Sequence, residues 1–216
     1  ARATDGAQLL LLSGAPGTGK TRHVVSFSRA LGLPLLLANP TDQSGPSGFA
    51  ARLRREVAGR DCVVFFDEID RYSDDEAFAS ELRQFLDGVC QPSSGRVLLV
   101  GTTNKLKRLP RDVVHRAEVI SFEHPEAHHL AEMWHSHAAH LQEADLAQIA
   151  RKSAQAGLTG RDVRHCASWA ERHTVIEHLN RESRLGYCHG AALSTCPGPV
   201  LGKYLQCVAQ RHAFSE

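Results

Sequence analysis

The stretch Leu9–Thr21, LLLLSGAPGTGKT, constrains this chain more than any other. A leucine run enters a Gly-rich turn and leaves it through Gly19-Lys20-Thr21, with the spacing G-x-x-x-x-G-K-[ST]. The segment Gly14, Ala15, Pro16, Gly17, Thr18 and Gly19 is expected to wrap a phosphate group. Gly14, Gly17 and Gly19 let the backbone bend so that N–H groups turn inward. The helix that starts here adds the positive end of its dipole. Lys20 is expected to reach β- and γ-phosphates, and the Thr21 hydroxyl to ligate Mg²⁺. A strand–turn–helix with coincidental glycines is the rival explanation. It is disfavoured by the apolar run before the turn and the helix-compatible stretch after it.

The 216 residues suit one large or two small domains. Lys and Arg number 25 against 24 Asp and Glu, so the overall charge points to no polyanionic partner. No apolar run reaches about 18 residues, so nothing in the sequence reads as a membrane span. The chain starts at Ala1 and goes almost directly into its first strand, which reads as an excised segment. Six cysteines make no C-x-x-C pair and are expected to be free thiols in a reducing, intracellular compartment. Cys188, His189 and Cys196 lie close together but lack four-ligand spacing, and read as a surface loop. His128, His129, His135, His137 and His140 point in several directions around one helix and read as a solvated face.

Taken in order, the pattern predicts strands at Gln8–Ser13, Pro34–Ala38, Cys62–Phe66, Arg96–Gly101 and Ala117–Phe122. Between them it predicts helices at Lys20–Leu31, Phe49–Ala58, Asp74–Leu86 (capped by Ser73) and Pro110–His115. Asn39–Gly48 and Pro92–Gly95 read as loops. Alternation of this kind predicts an α/β fold with a five-stranded parallel sheet between helices. The character changes at His124-Pro125. Downstream the pattern is helical only, over Glu126–His140, Glu143–Ser153, Gly160–His178 and Val200–Arg211, with a loop at Gly186–Pro199. Two domains are expected: residues 1–124, nucleotide-binding and α/β, and residues 125–216, small and all-helical.

Beyond the phosphate loop, Asp67 and Glu68 end an apolar strand. Hydrolysis of a nucleoside triphosphate needs one carboxylate to hold Mg²⁺ and another to orient the attacking water. Asp67 suits the first role and Glu68 the second. Asn104 ends the next strand, where an amide can hold the water or touch the γ-phosphate. Arg116, between a short helix and a strand, can face a neighbouring subunit's nucleotide, and Arg111 is its competitor. Such a finger is worth about 10³–10⁵ in rate. Leu158–Val163 opens the third helix of the second domain, with Thr159 as its cap. Arg161, or Arg164 one turn on, could swing over bound phosphates.

With these pieces in order, the chain resembles an AAA ATPase module over nearly its whole length. GAPGTGKT looks like Walker A, VVFFDEID like Walker B, and the TTN ending at Asn104 like sensor 1. VVHRAEVISFEHP looks like the finger segment before a helical lid, and GLTGRDVR like the sensor-2 region. The resemblance implies a P-loop NTPase with an AAA lid, ATP and Mg²⁺ as ligands, a homo-oligomeric ring (usually a hexamer), and mechanical work on proteins. Within the family it is most similar to the mitochondrial inner-membrane ATPase-family-AAA-domain-containing-three type. That likeness lies in Gly157–Val163, Ser168-Trp169 and the last helix, LGKYLQCVAQRHAF. A weaker likeness is to the ATPase that remodels HORMA-domain proteins. The closer likeness implies a mitochondrial location, with any membrane contact made outside this segment.

The chain departs from the family in places. Most protein-threading rings carry an aromatic–apolar–Gly pore loop after the second strand, whereas here the loop is NPTDQSGPSG, with no aromatic before Phe49. The interval from Lys20 to Asp67 is short, and no segment clasping adenine precedes the first strand. The main expectation is an ATP-hydrolysing ring module with an unidentified protein substrate. A nucleotide-gated interaction module with little turnover is one alternative. A DNA-processing relative is another, disfavoured by the balanced charge and the lack of a basic stripe.

Overall fold

The computed structural model describes residues 8–39, 48–88, 95–184, 199 and 201–213. The chain divides into two compact units, Ala1–Glu123 and His124–Glu216.

In the first unit, five strands form one parallel sheet: β1 (Gln8–Gly14), β2 (Leu35–Leu37), β3 (Cys62–Phe66), β4 (Val97–Thr103) and β5 (Ala117–Phe122). Their order is β2-β3-β4-β1-β5. The crossovers carry α1 (Lys20–Leu31), α2 (Phe49–Val57), α3 (Glu76–Gly88) and α4 (Arg111–His115). Parallel strands are covered on both faces, so the central ones read as unbroken apolar runs. All five residues of β3 are buried. Side chains still alternate between faces. Leu9, Leu11, Val64, Phe66 and Leu99 pack with residues of α2 and α3, whereas Leu12, Val63, Phe65 and Val100 pack with Val24 of α1.

Two local findings refine the sequence reading. Ser73 does not cap α3, because its Oγ donates instead to the Asp70 carbonyl at 2.8 Å. Asp75 takes that role: its Oδ1 accepts from the N–H groups of Ala77 (2.9 Å) and Phe78 (3.1 Å). Phe49 is 2% exposed, with its ring 5.9 Å from those of both Phe66 and Phe78. The first aromatic after β2 is therefore a core residue. Glu81 of α3 fixes the start of α2, accepting from Gly48 N at 3.2 Å and Ala50 N at 2.9 Å. Residues 40–47 and 92–94, which hold most of the two expected loops, lie outside the described residues, as do Cys188, His189 and Cys196.

The second unit contains α5 (Ala127–His137), α6 (Glu143–Gln155), α7 (Gly160–Arg184) and α8 (Leu201–Ala213). Helix α5 stops before the expected His140: Ala138 N donates to the Trp134 carbonyl at 2.7 Å, and Ala138 then leaves helical geometry. Leu130, Trp134, Ile149, Val163 and Tyr204 are buried at its core, and Trp134 Nε1 donates to Ser153 Oγ at 3.0 Å. His128, His129, His135 and His140 are exposed, as a solvated face requires. Among the described cysteines, Cys62, Cys166 and Cys207 are buried free thiols, and burial pushes the Cys62 and Cys166 thiols up. Thr159 begins α7 through a capping box: its N–H and Oγ1 both donate to Asp162 Oδ2, at 3.0 and 2.7 Å. Arg211 of α8 holds the other oxygen of Asp162 at 3.3 Å.

Tyr204 is fully buried, and its hydroxyl has no partner among the described residues. Burial pushes its ionisation up to about 12. The unfolded phenol, with an ordinary value of about 10, releases its proton first. This group's contribution to stability is therefore whole below about pH 10 and is lost as pH rises towards 12. Tyr204→Phe is expected to be as stable as the parent at neutral pH and to flatten this alkaline decline. Urea midpoints measured from pH 8 to 11.5 check it, and parallel curves for the two proteins would contradict it.

Candidate active site

The carboxyl ends of β1, β4 and β3 lie side by side, with β4 between the other two. Ser13 pairs with Thr103, and Phe66 with Gly101, so the residues that follow these strands gather at one edge of the sheet. Ligands bind at this edge in open α/β sheets. The turn Gly14–Gly19 enters α1 here, and α1 has no side-chain cap at its N-terminus. Gly17 and Gly19 have φ of 84° and 97°, in the region that favours glycine. Gly14 is required for a different reason from the one expected. Its φ is not positive, but a Cβ there would lie 2.2 Å from the Phe122 carbonyl oxygen of β5.

Lys20 is 6% exposed. Its ammonium donates to the carbonyls of Gly14 (2.7 Å) and Ala15 (2.8 Å) and to Asn104 Oδ1 (2.8 Å). The Thr18 hydroxyl also donates to the Ala15 carbonyl, at 2.9 Å, while Pro16 is exposed at the tip of the turn. Because Lys20 can only donate, the carbonyl end of the Asn104 amide must face it. The amide's N–H₂ end then faces Glu68 Oε1, 3.4 Å away. One side chain thus joins the phosphate-loop lysine to the candidate base.

A second relay runs beside the first. Thr21 Oγ1 donates to Asp67 Oδ1 at 3.0 Å, and Thr102 Oγ1 donates to the same oxygen at 2.7 Å. The Thr102 oxygen in turn accepts from Glu68 N at 2.8 Å. Asp70, 7% exposed, accepts from Asn104 N at 3.1 Å and so fixes the backbone of that residue. Glu68 has φ 51°, which makes it the one non-glycine residue with positive φ among those described. Such a conformation persists where its surroundings hold it in place. Here the Thr102 hydrogen bond and the 3₁₀ turn Ile69–Tyr72 do so.

The structure thus brings Lys20, Thr21, Asp67, Glu68 and Asn104 together. Arg116, also in the first unit, caps the end of α4, and its exposed guanidinium is ion-paired with Asp87 of α3. Arg111 begins α4 and is exposed. Arg161 and Arg164 lie at the start of α7 in the second unit, both exposed. The sequence reading assigned no role to Thr102 or Asp70. The signals available were the first Thr of TTN and the second Asp of DEID, but their partners lie about 35 residues away along the chain.

The donor chemistry fits a magnesium-bound polyphosphate. Thr21 Oγ1 and the Asp67 carboxylate are adjacent hard oxygen ligands of the kind Mg²⁺ takes. A buried ammonium and an uncapped helix N-terminus favour anions. Thr102→Val would leave Glu68 N without its acceptor and remove a donor to Asp67. A loss of about 1–3 kcal/mol in urea unfolding is expected, and a loss under about 0.5 kcal/mol would show that the bridge does not hold this edge together.

Comparison with known proteins agrees with this geometry. The model of the AAA family, the ATPases associated with various cellular activities, matches residues 10–124. No curated protein sequence matches significantly. Among solved structures, the chain is similar to the FIGL-1 AAA domain in complex with ADP, with TM-score 0.77 and 18% identity over 96% of this chain and 76% of that one. A second structure of the FIGL-1 AAA domain gives TM-score 0.72 at 18% identity, over 94% of this chain and 71% of that one. A chain from a study of katanin self-assembly gives 0.70 at 19%, with the same coverage. At these identities the likeness establishes the fold.

Proposed function

This chain belongs to the AAA family of ATPases, and from that premise we propose that it binds ATP with Mg²⁺ and hydrolyses it to ADP and phosphate as part of a homo-oligomeric ring. The observation that carries the proposal is the continuous relay Lys20–Asn104–Glu68, set beside the Thr21–Asp67 pair. Lys20, with the N–H groups of the Gly14–Gly19 turn, holds the β- and γ-phosphates. Thr21 and Asp67 hold the cation. Mg²⁺ supplies charge neutralisation on the transferring phosphoryl oxygens. Asn104 keeps its amide between the lysine and the base. Glu68 accepts a proton from water as the water oxygen bonds to the γ-phosphorus and ADP departs. The FIGL-1 structure contains ADP, which supports a nucleotide at this edge of the shared fold.

Arg116 completes the site of an adjacent subunit, so turnover depends on assembly. The katanin structure, which concerns self-assembly of that protein, supports a ring. A hexamer is the ring size proposed. Arg161 at the start of α7 is proposed to reach the phosphates from the lid, residues 125–216. The burial of Phe49 leaves the second-strand loop without the aromatic grip of protein-threading rings. The work done on partners is therefore proposed to be conformational rather than processive threading. The mitochondrial assignment is proposed from Gly157–Val163 and Ser168-Trp169, and fractionation of the full protein tests it.

Lys20→Ala is expected to abolish nucleotide binding measured by fluorescent ATP titration. Glu68→Gln should bind normally and lose at least about 100-fold in turnover, the lower range for a positioned general base. Parental turnover in Glu68→Gln would remove Glu68 from the base role. Arg116→Ala should bind ATP but not turn it over. Mixing it with Lys20→Ala subunits, which supply an intact Arg116, should restore activity at the mixed interfaces. No recovery on mixing would move the finger elsewhere.

A further inference from the structure

Glu68 is engaged from two sides. Asn104 Nδ2 approaches Oε1 at 3.4 Å, and the Arg71 guanidinium forms an ion pair with Oε2. The second contact follows from local geometry. Glu68 leads into the 3₁₀ turn Ile69–Tyr72, whose first bond runs from Arg71 N to the Glu68 carbonyl at 2.9 Å. In a 3₁₀ turn the side chains at i and i+3 eclipse one another, so Arg71 lies over Glu68. The neighbouring carboxylates have other partners: Asp67 accepts from Thr21 and Thr102, and Asp70 accepts from Asn104 N. The pairing of Arg71 with Glu68 is therefore specific. The Arg71 side chain is 72% exposed and that of Glu68 is 31% exposed, so the cation is the accessible half of the pair.

We infer that Arg71 is a positioning residue that restrains the Glu68 carboxylate and acts as a brake on hydrolysis. The inference rests on the reading of Glu68 as the general base. A base must turn an oxygen with a free lone pair towards the attacking water. With Oε2 held by Arg71 and Oε1 facing Asn104, the carboxylate is fixed to the turn instead. An exposed pair of this kind shifts a conformational equilibrium by roughly fivefold at most, so the brake is partial and reversible. An anionic group from an adjacent subunit or a bound partner can draw Arg71 off at little cost and free the carboxylate.

The test is steady-state ATP turnover with saturating Mg²⁺ for the parent chain, Arg71→Ala, Arg71→Lys and Glu68→Gln, with kcat and KM separated. Arg71→Ala is expected to raise kcat by about two- to fivefold and leave KM unchanged. Arg71→Lys, which keeps a cation able to reach Oε2, should return kcat towards the parental value. A merely structural role would lower kcat or change stability without rescue by lysine. An unchanged or reduced kcat in Arg71→Ala, beside an inactive Glu68→Gln, overturns the brake alone. Parental turnover in Glu68→Gln, or no turnover in any of the four while nucleotide still binds, overturns the base assignment and the brake with it. Because Arg71 is exposed, its variants are expected to fold, and thermal melts of all four proteins confirm that rates are compared between folded chains.

Discussion

The contact between the Lys20 ammonium and Asn104 Oδ1 at 2.8 Å ties the site together. A cation that is 6% exposed must have its protons directed to oxygens. Two of those oxygens belong to the turn that Lys20 itself closes, and the third comes from the end of β4. One buried charge therefore fixes both the curvature of the phosphate loop and its distance from the next strand. It also sets the orientation of the Asn104 amide, and through it the side on which Glu68 is met. The Thr21–Asp67–Thr102 relay repeats this coupling a few ångströms away with neutral hydroxyls and a single carboxylate oxygen.

These relays depend on strand order. In the sequence, β1 and β3 are separated by a helix, a short strand and another helix, and β4 is the last of the three to be made. The sheet inserts β4 between them. A nucleotide loop and an acidic pair that never touch directly are then bridged by the Thr102 and Asn104 side chains. The close approach of Gly14 to Phe122 adds the other neighbour, β5, whose preceding residue is Arg116. The proposed trans-acting arginine is thus one strand away from the phosphate loop of its own subunit, yet its ion pair is with Asp87 of α3.

Much of this was legible in the sequence because it rests on local signals. The five strands are apolar runs of the right length, and a fully buried strand such as Cys62–Phe66 has no polar residue to obscure it. The phosphate loop, Asp67, Glu68 and Asn104 each sit where a strand ends, which composition marks clearly. Less legible were features that depend on register. Thr102 and Asp70 find their partners only after β3 and β4 align, and the i,i+3 pairing of Arg71 with Glu68 needs a 3₁₀ turn that the pattern did not specify. The helix cap at Asp75 rather than Ser73 turned on which of two adjacent capping residues had a competing partner; Ser73 had one in the Asp70 carbonyl. Gly14 was identified for the right position and the wrong reason, since its constraint is a carbonyl on another strand. Helix α7 runs to Arg184, beyond the expected His178, because its last turns carry polar residues that leave no apolar stripe to follow.

The central claim is that this site hydrolyses ATP and is completed by a second copy of the chain. The most direct test is ATP turnover per subunit, with Mg²⁺, as protein concentration is raised through the range in which oligomers form. The account predicts specific activity that climbs with concentration and levels off once assembly is complete. Measurable activity that stays flat from the most dilute sample upward would mean that each subunit works alone. Bound ATP with no turnover at any concentration would contradict the ATPase reading itself.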